Sequence, residues 1–244
     1  MKKQTTITTA IYAVVVLIAL TGMVSCKKDL IGSGPVVTET RTLPSFSAIS
    51  LQMNGNVYYK TDSVTKVEVI AKQSIHPILQ TSVNNQALVI RYNDGRTYDA
   101  DESIRITVYG PSVNSLSLTS SGSIFTDSDI NANNLVLRSS GSGNISLRKI
   151  TATSILAESL QSGTISATFG NAITANLKSD ASGKINLSGI TTVNATARTI
   201  GSGDIQVTAT HNLDATIDGS GSIYFGGYPS ITSHVHGTGR LIRL

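Results

Sequence analysis

Asp127 and Asp129, two residues apart, and Asp204, Asp214 and Asp218 further on are the side chains whose type and spacing come nearest to catalytic chemistry. Carbohydrate hydrolysis uses two carboxylates about 5 to 10 Å apart, and strand alternation puts Asp127 and Asp129 on one face. No local phrase joins either group to the Lys, Arg or His that a pectin-type site also needs, so the chain is expected not to be an enzyme. His234 and His236 flank Val235 on one strand and could ligate a transition metal, but no third ligand lies near them in sequence. His76 and His211 are isolated. Asp204, within Gly-Ser-Gly-Asp-Ile, resembles one turn of a calcium-binding nonapeptide, yet the matching positions elsewhere include Lys184, which would repel calcium. No Gly-Lys-Ser/Thr follows a Gly-rich turn, so no phosphate loop is expected. Neither a metal nor a cofactor is expected.

Cys26 is the remaining reactive group and the only cysteine, so it cannot form an internal disulfide. Lys2 and Lys3 precede a short apolar run, Ala10 to Leu20, and Met23-Val24-Ser25-Cys26 follows. The run is too short for a membrane span and reads as a signal-peptide core over residues 1–25. The tetrapeptide resembles a bacterial lipobox, with Met23 where leucine is commoner, and this makes Cys26 the expected lipidated amino terminus. Each buried acyl methylene contributes about 0.8 kcal/mol, so several chains would anchor the protein without a spanning helix. Residues 26–35, with Lys27, Lys28 and a Gly-Ser-Gly-Pro stretch, read as a flexible tether. The expected location is the cell envelope, at the outer membrane.

What must position any site is set by composition and by a repeat. Charged residues are 14% and aromatics 5% of the 244 residues, and tryptophan is absent. Ser, Thr, Asn, Gly, Val and Ile stand where helix formers would, which points to β structure. The chain carries 19 basic and 15 acidic residues; removing 1–25 deletes Lys2 and Lys3 and no acid, leaving 17 against 15. A near-neutral domain with dispersed charges makes nucleic acid an unsuitable partner.

Ser-Gly-x-Ile, or its variant Thr-Gly-Arg-Leu, recurs with glycines at Gly122, Gly143, Gly163, Gly183, Gly203, Gly221 and Gly239, at intervals of 18 to 21 residues. The residue after each glycine varies freely; the next is always aliphatic, from Ile124 through Ile145, Ile165, Ile185, Ile205 and Ile223 to Leu241. Short alternating runs such as Leu-Val-Leu at 135 precede each corner. Two or three short strands per 20-residue unit describe one coil of a solenoid, with coils stacked about 4.8 Å apart and aliphatics in columns. The expected fold is therefore all-β: a right-handed, single-stranded parallel β-helix. The corner glycines are read as structural, supplying positive φ at each turn. Residues 111–244 form the regular repeats. Residues 36–110 read as irregular first coils and a cap, with strands in Lys66–Lys72, 87–92 and 103–111, a corner at Asn54-Gly55-Asn56-Val57 and an exposed loop from 93.

Phe-Ser-Ala-Ile at 46, Lys-Val-Glu-Val-Ile-Ala-Lys at 66 and the Gly-Ser-Gly-x-Ile corners at 141, 201 and 219 resemble the GIN domain, a proposed head domain of auto-transporter-like adhesins. The resemblance runs from about residue 45 to the end; Gln161 and Ala181 stand where the first corner glycine would be. It implies a pectin-lyase-like shape without catalytic residues and a role in adhesion. The expected function is a non-catalytic envelope module binding surface glycans or proteins, with Tyr224 and Tyr228 as candidate ligand contacts. A carbohydrate-active β-helix enzyme and a structural envelope protein that forms homo-oligomers are the alternatives.

Overall fold

The computed structural model describes residues 32–93 and 104–244. Cys26, the signal segment and most of the loop after residue 93 lie outside the described residues. Among the described residues the only helical element is one 3-10 turn, Gln73–Ile75, and all else regular is β-strand.

The regular part is β9 (Ser123–Ser139), β10 (Asn144–Ser159), β11 (Thr164–Ser179), β12 (Lys184–Thr199) and β13 (Ile205–Ile217), each parallel to the next. Each coil holds three short strand segments, as expected, but they follow one another directly through two bends with no loop between them. In β10 the buried positions are Ile145 and Leu147, then Ile150 and Ala152, then Ile155, Ala157 and Ser159. Between these groups two consecutive side chains, Arg148–Lys149 and Thr153–Ser154, point away from the core. Each such break in the alternation of in and out turns the strand onto a new face, so one coil has three faces. The Gly-Ser corner then closes the coil before the next begins.

Register makes the repeat into columns. Val57, Ile124, Ile145, Ile165, Ile185, Ile205, Ile223 and Leu241 stack in sequence on the first face, and all but Leu241 are fully buried. Each buried isoleucine contributes roughly 1.5 to 3 kcal/mol over an exposed one. On the third face Leu137, Ala157, Leu177 and Ala197 alternate large and small, which lets neighbouring coils interdigitate in a narrow interior. The last coils are β14 (Ile223–Gly226), β15 (Ser230–Val235) and β16 (Leu241–Arg243).

The amino-terminal strands are β1 (Val36–Thr42), β2 (Ala48–Leu51), β3 (Asn56–Thr61), β4 (Lys66–Lys72), β5 (Leu79–Asn84), β6 (Ala87–Tyr92), β7 (Arg105–Gly110) and β8 (Ser115–Leu118). They do not stack in chain order. On the first face the order is β1-β4-β7-β3-β9; on the third it is β5-β6-β2-β8-β9. β7 therefore lies outside β3, whereas β8, which follows β7 directly, lies inside β2. Two incomplete coils are interleaved. β1 and β4 run antiparallel to their neighbours, and β5 and β6 form a hairpin turned by Asn85 and Gln86, both at positive φ. Arg41 fastens this end: its guanidinium donates to the carbonyl oxygens of Leu79 (2.6 Å) and His76 (2.9 Å) and to Glu39 (2.7 Å).

Candidate functional site

The corner glycines form a single stack, but not for the reason the sequence suggests. Positive φ among glycines occurs at Gly34, Gly170 and Gly227, none of them in the stack. A β-carbon on Gly143 would instead strike the carbonyl oxygen of Gly122, and one on Gly203, Gly221 or Gly239 that of the preceding corner glycine, all well inside 3.0 Å. Gly122 meets Gly55 in the same way, which extends the column back to the Asn-Gly corner. At Gly163 and Gly183 the first obstacle is a hydroxyl, from Ser139 and Ser159, and the preceding corner glycine's carbonyl oxygen also lies within 3.0 Å. Close approach of backbone to backbone, coil upon coil, requires glycine here. No ligand cradle is needed to account for it.

Sequence reasoning missed a second column beside the first. Ser139, Ser159, Ser179 and Thr199, each four residues before a corner glycine, point inward and are fully buried. Ser159, Ser179 and Thr199 donate at 2.7 Å to the carbonyl oxygens of Gly163, Gly183 and Gly203, which holds each corner closed. A hydroxyl recurring at one offset from the glycine was the available signal.

The aspartates do not converge. Asp129 is ion-paired with Arg148 and with Lys149 (2.9 Å). The hydrogen bond from Lys149, with the charges of Lys149 and Arg148, holds its carboxyl below the usual carboxylate range. Asp218 accepts from His236 Nδ1 (2.9 Å) and from Arg198 (2.8 and 3.0 Å), and these two partners, His236 first, depress it likewise. Asp204 accepts the backbone N–H of Ser222 at 2.9 Å. Asp127 is exposed, and Asp214 stands beside Thr196 and Thr232 on the third face. His236 is thus spent on Asp218 while His234 stands level with Thr216. Among the described residues no cluster of three or more His, Cys, Asp or Glu could hold a metal. His211 is exposed; His76 is buried with Nδ1 3.0 Å from Glu39, a contact that helps hold β1.

The outward positions are better organised. On the first face Tyr58, Phe125, Ser146, Ser166, Asn186, Gln206 and Tyr224 lie in register, one per coil. Tyr58 and Phe125 stack with ring centroids 5.3 Å apart at 19°, and the Arg105 guanidinium lies 4.2 Å from the Tyr58 centroid. From Ser146 to Gln206 this column is a ribbon of uncharged amides and hydroxyls, flanked by Phe125 and Tyr58 on one side and Tyr224 on the other. Tyr224 is half-buried between buried Ile223 and Phe225, and Ile242 follows it in register on the last coil. Tyr228 stands apart, 87% exposed under the Arg243 guanidinium, 3.9 Å from its ring centre. At the second bend, Asn131, Asn133, Thr151, Thr153, Asn171 and Ile173 line a shallow concavity of about 560 Å³. No formal charge lines this concavity.

Among curated proteins, none matches this chain. Solved structures do. A putative adhesin from Bacteroides fragilis is 24% identical, with a TM-score of 0.83 over 88% of this chain and 100% of its own. One from Parabacteroides merdae is 19% identical, with a TM-score of 0.71 over 88% and 99%. A putative lipid binding protein from Parabacteroides distasonis is 23% identical, with a TM-score of 0.72 over 89% and 100%. At these identities the likeness is one of fold. The family model described as "Putative auto-transporter adhesin, head GIN domain" matches residues 45–229, starting where the sequence resemblance does and stopping before β15 and β16. By that match the chain belongs to the GIN-domain family of adhesin-like proteins.

Proposed function

We propose that this chain is a non-catalytic adhesion module held at the cell envelope by acylated Cys26, and that it engages its ligand through the outward ribbon of the first face. Family membership supports an adhesion or binding role in general and an envelope location. The observation that carries the finer reading is the in-register column from Tyr58 to Tyr224: uncharged hydrogen-bonding groups at the coil spacing, flanked by rings that can stack on sugars or apolar side chains. Many weak polar contacts repeated along a rod sum to useful avidity without any deep pocket. The ion pairing of Asp129 with Arg148 and Lys149 favours binding over hydrolysis, because a carboxylate held by two cations is a poor proton donor.

The test is binding of the soluble chain to arrays of bacterial and host glycans and matrix proteins, with a parallel assay for depolymerised sugars. Saturable binding without products, weakened by Tyr224→Ala and Phe125→Ala, supports the proposal. Products from any polysaccharide would overturn it. The anchor is tested separately: metabolic fatty-acid labelling should appear on the wild-type chain and vanish in Cys26→Ser.

A further inference from the structure

The two ends of the solenoid are protected differently. The amino-terminal end is closed by the antiparallel strands β1 and β4 and by the β5–β6 hairpin. At the other end, on the first face, Arg243 occupies the position in register with buried Phe225, and its guanidinium turns out to the Gly227 carbonyl (2.7 Å) and the Tyr228 ring. An inward-facing charge is a known guard for a strand edge. The third face has no such guard. β15 pairs with β13 on one side only among the described residues, and all six of its residues are exposed. It carries no Lys, Arg, Asp, Glu or Pro and pairs without a bulge. Ile231 and Val235 continue the columns of buried Leu213 and Ile217, yet are 44% and 49% exposed.

We infer that β15 is a self-association strand: two copies of this chain join through antiparallel β15–β15 pairing about a two-fold axis at Ser233. The occupant follows from the strand's own symmetry. With Ser233 opposite Ser233 of the second copy, Ile231 faces the second copy's Val235, and its mirror repeats the pair, so both exposed apolar side chains are covered on the inward side. Thr232 faces His234 on the outer side, and no like charges meet in the ladder. An isologous contact of this kind closes at two copies and does not propagate into a fibre. Cross-strand apolar pairs are the unit by which such a ladder is stabilised. Other partners would need a complementary strand; a second copy already has one.

The experiment uses the full chain carrying Cys26→Ser, so that any introduced cysteine is the only thiol. Sedimentation equilibrium should give twice the chain mass. Ile231→Lys and Val235→Lys should each weaken association roughly tenfold or more. Combining Ile231→Glu with Val235→Lys should restore it, because each new acid then faces the other copy's new lysine. Ser233→Cys should form an intermolecular disulfide readily, and Thr232→Cys should not. Unchanged cooperative melting of each variant confirms folding, as expected for side chains already in solvent. A monomer at every concentration overturns the inference, as does an assembly indifferent to both lysines. Failure of the charge pair to rescue overturns the proposed register.

Discussion

The coils from β9 to β13 and the strands before them share one sheet and one core, yet they are specified differently. In the regular coils each residue type is dictated by the coil beneath: isoleucine on isoleucine, glycine on glycine, hydroxyl four places before the corner. One local rule, repeated, fixes the structure. In the amino-terminal part no rule repeats. β7 and β3 exchange order relative to β2 and β8, and single side chains such as Arg41 and Tyr59 hold the pieces; Tyr59 is buried and donates its hydroxyl to the Gly110 carbonyl at 3.2 Å. Repetition makes the regular coils legible and also uniformly vulnerable, since a fault at one rung meets the same neighbours at every rung.

The sharpest break of that contrast is a methyl group at equivalent corners. Gly143→Ala drives a β-carbon into the Gly122 carbonyl, where only a shift of whole coils relieves it. A loss of about 4 kcal/mol or more is expected. Gly55→Ala, at the same corner of the irregular part, meets only the terminal methyl of Met53 at 2.9 Å, the movable end of a flexible side chain. There the loss should be about 1 kcal/mol or less. Denaturant unfolding of both variants decides it, and equal losses would show that close approach is not what selects glycine.

Next in size is the inside and outside of one strand. Ile185→Asp buries an unpaired carboxylate in the central column and should cost about 3 to 4 kcal/mol. Lys184→Thr, one residue earlier on the outer surface and level with Thr164, should change stability by less than about 0.5 kcal/mol. Thermal melts of the pair would expose a wrong face assignment if the two responded alike.

How far the sequence was readable follows the same division. The glycine spacing and the aliphatic two residues on gave the coil register down to individual rungs, Ile145 on Ile124 and Ile185 on Ile165 among them, because period and alternation both report it. The purpose of the glycines was misread, since left-handed backbone and close approach both demand the same residue. The Ser139 to Thr199 column and the pairs Arg138–Glu158 and Arg198–Asp218, one coil apart at 20 residues, were visible as spacings. They become interpretable only once the coil is accepted. The interleaving of β7 with β3 had no local signal at all: nothing in Lys66–Lys72 or Arg105–Gly110 says which strand will lie antiparallel, because partner choice there is non-local.

The buried hydroxyls give a smaller effect. Ser159→Ala removes the donor to the Gly163 carbonyl, but that oxygen keeps the Lys184 backbone N–H at 3.1 Å. The expected loss is about 1 kcal/mol. Hydrogen exchange should quicken at the Gly163 corner and leave β3 and β7 unchanged. Exchange quickened throughout would mean that the regular and irregular parts open as one unit.

The smallest expected effect concerns acid. Asp218, held by His236 and Arg198, has its carboxyl depressed in the folded chain, so its contribution is present above the unfolded value of about 4 and is lost as pH falls through the lower folded value. Asp129, held by Lys149 and Arg148, follows the same sign. Both sit on the outer surface of the regular coils, where solvent and salt screen the pairs. Melting temperature should therefore fall between pH 4 and more acidic values, by less in Asp218→Asn than in the wild type and by less still at high salt. A wild type and variant that lose stability in parallel would place the acid sensitivity elsewhere. The amino-terminal cap is then the region to suspect, through Glu39, which Arg41 and His76 hold low, and Glu68, which Lys66 and Tyr109 hold low.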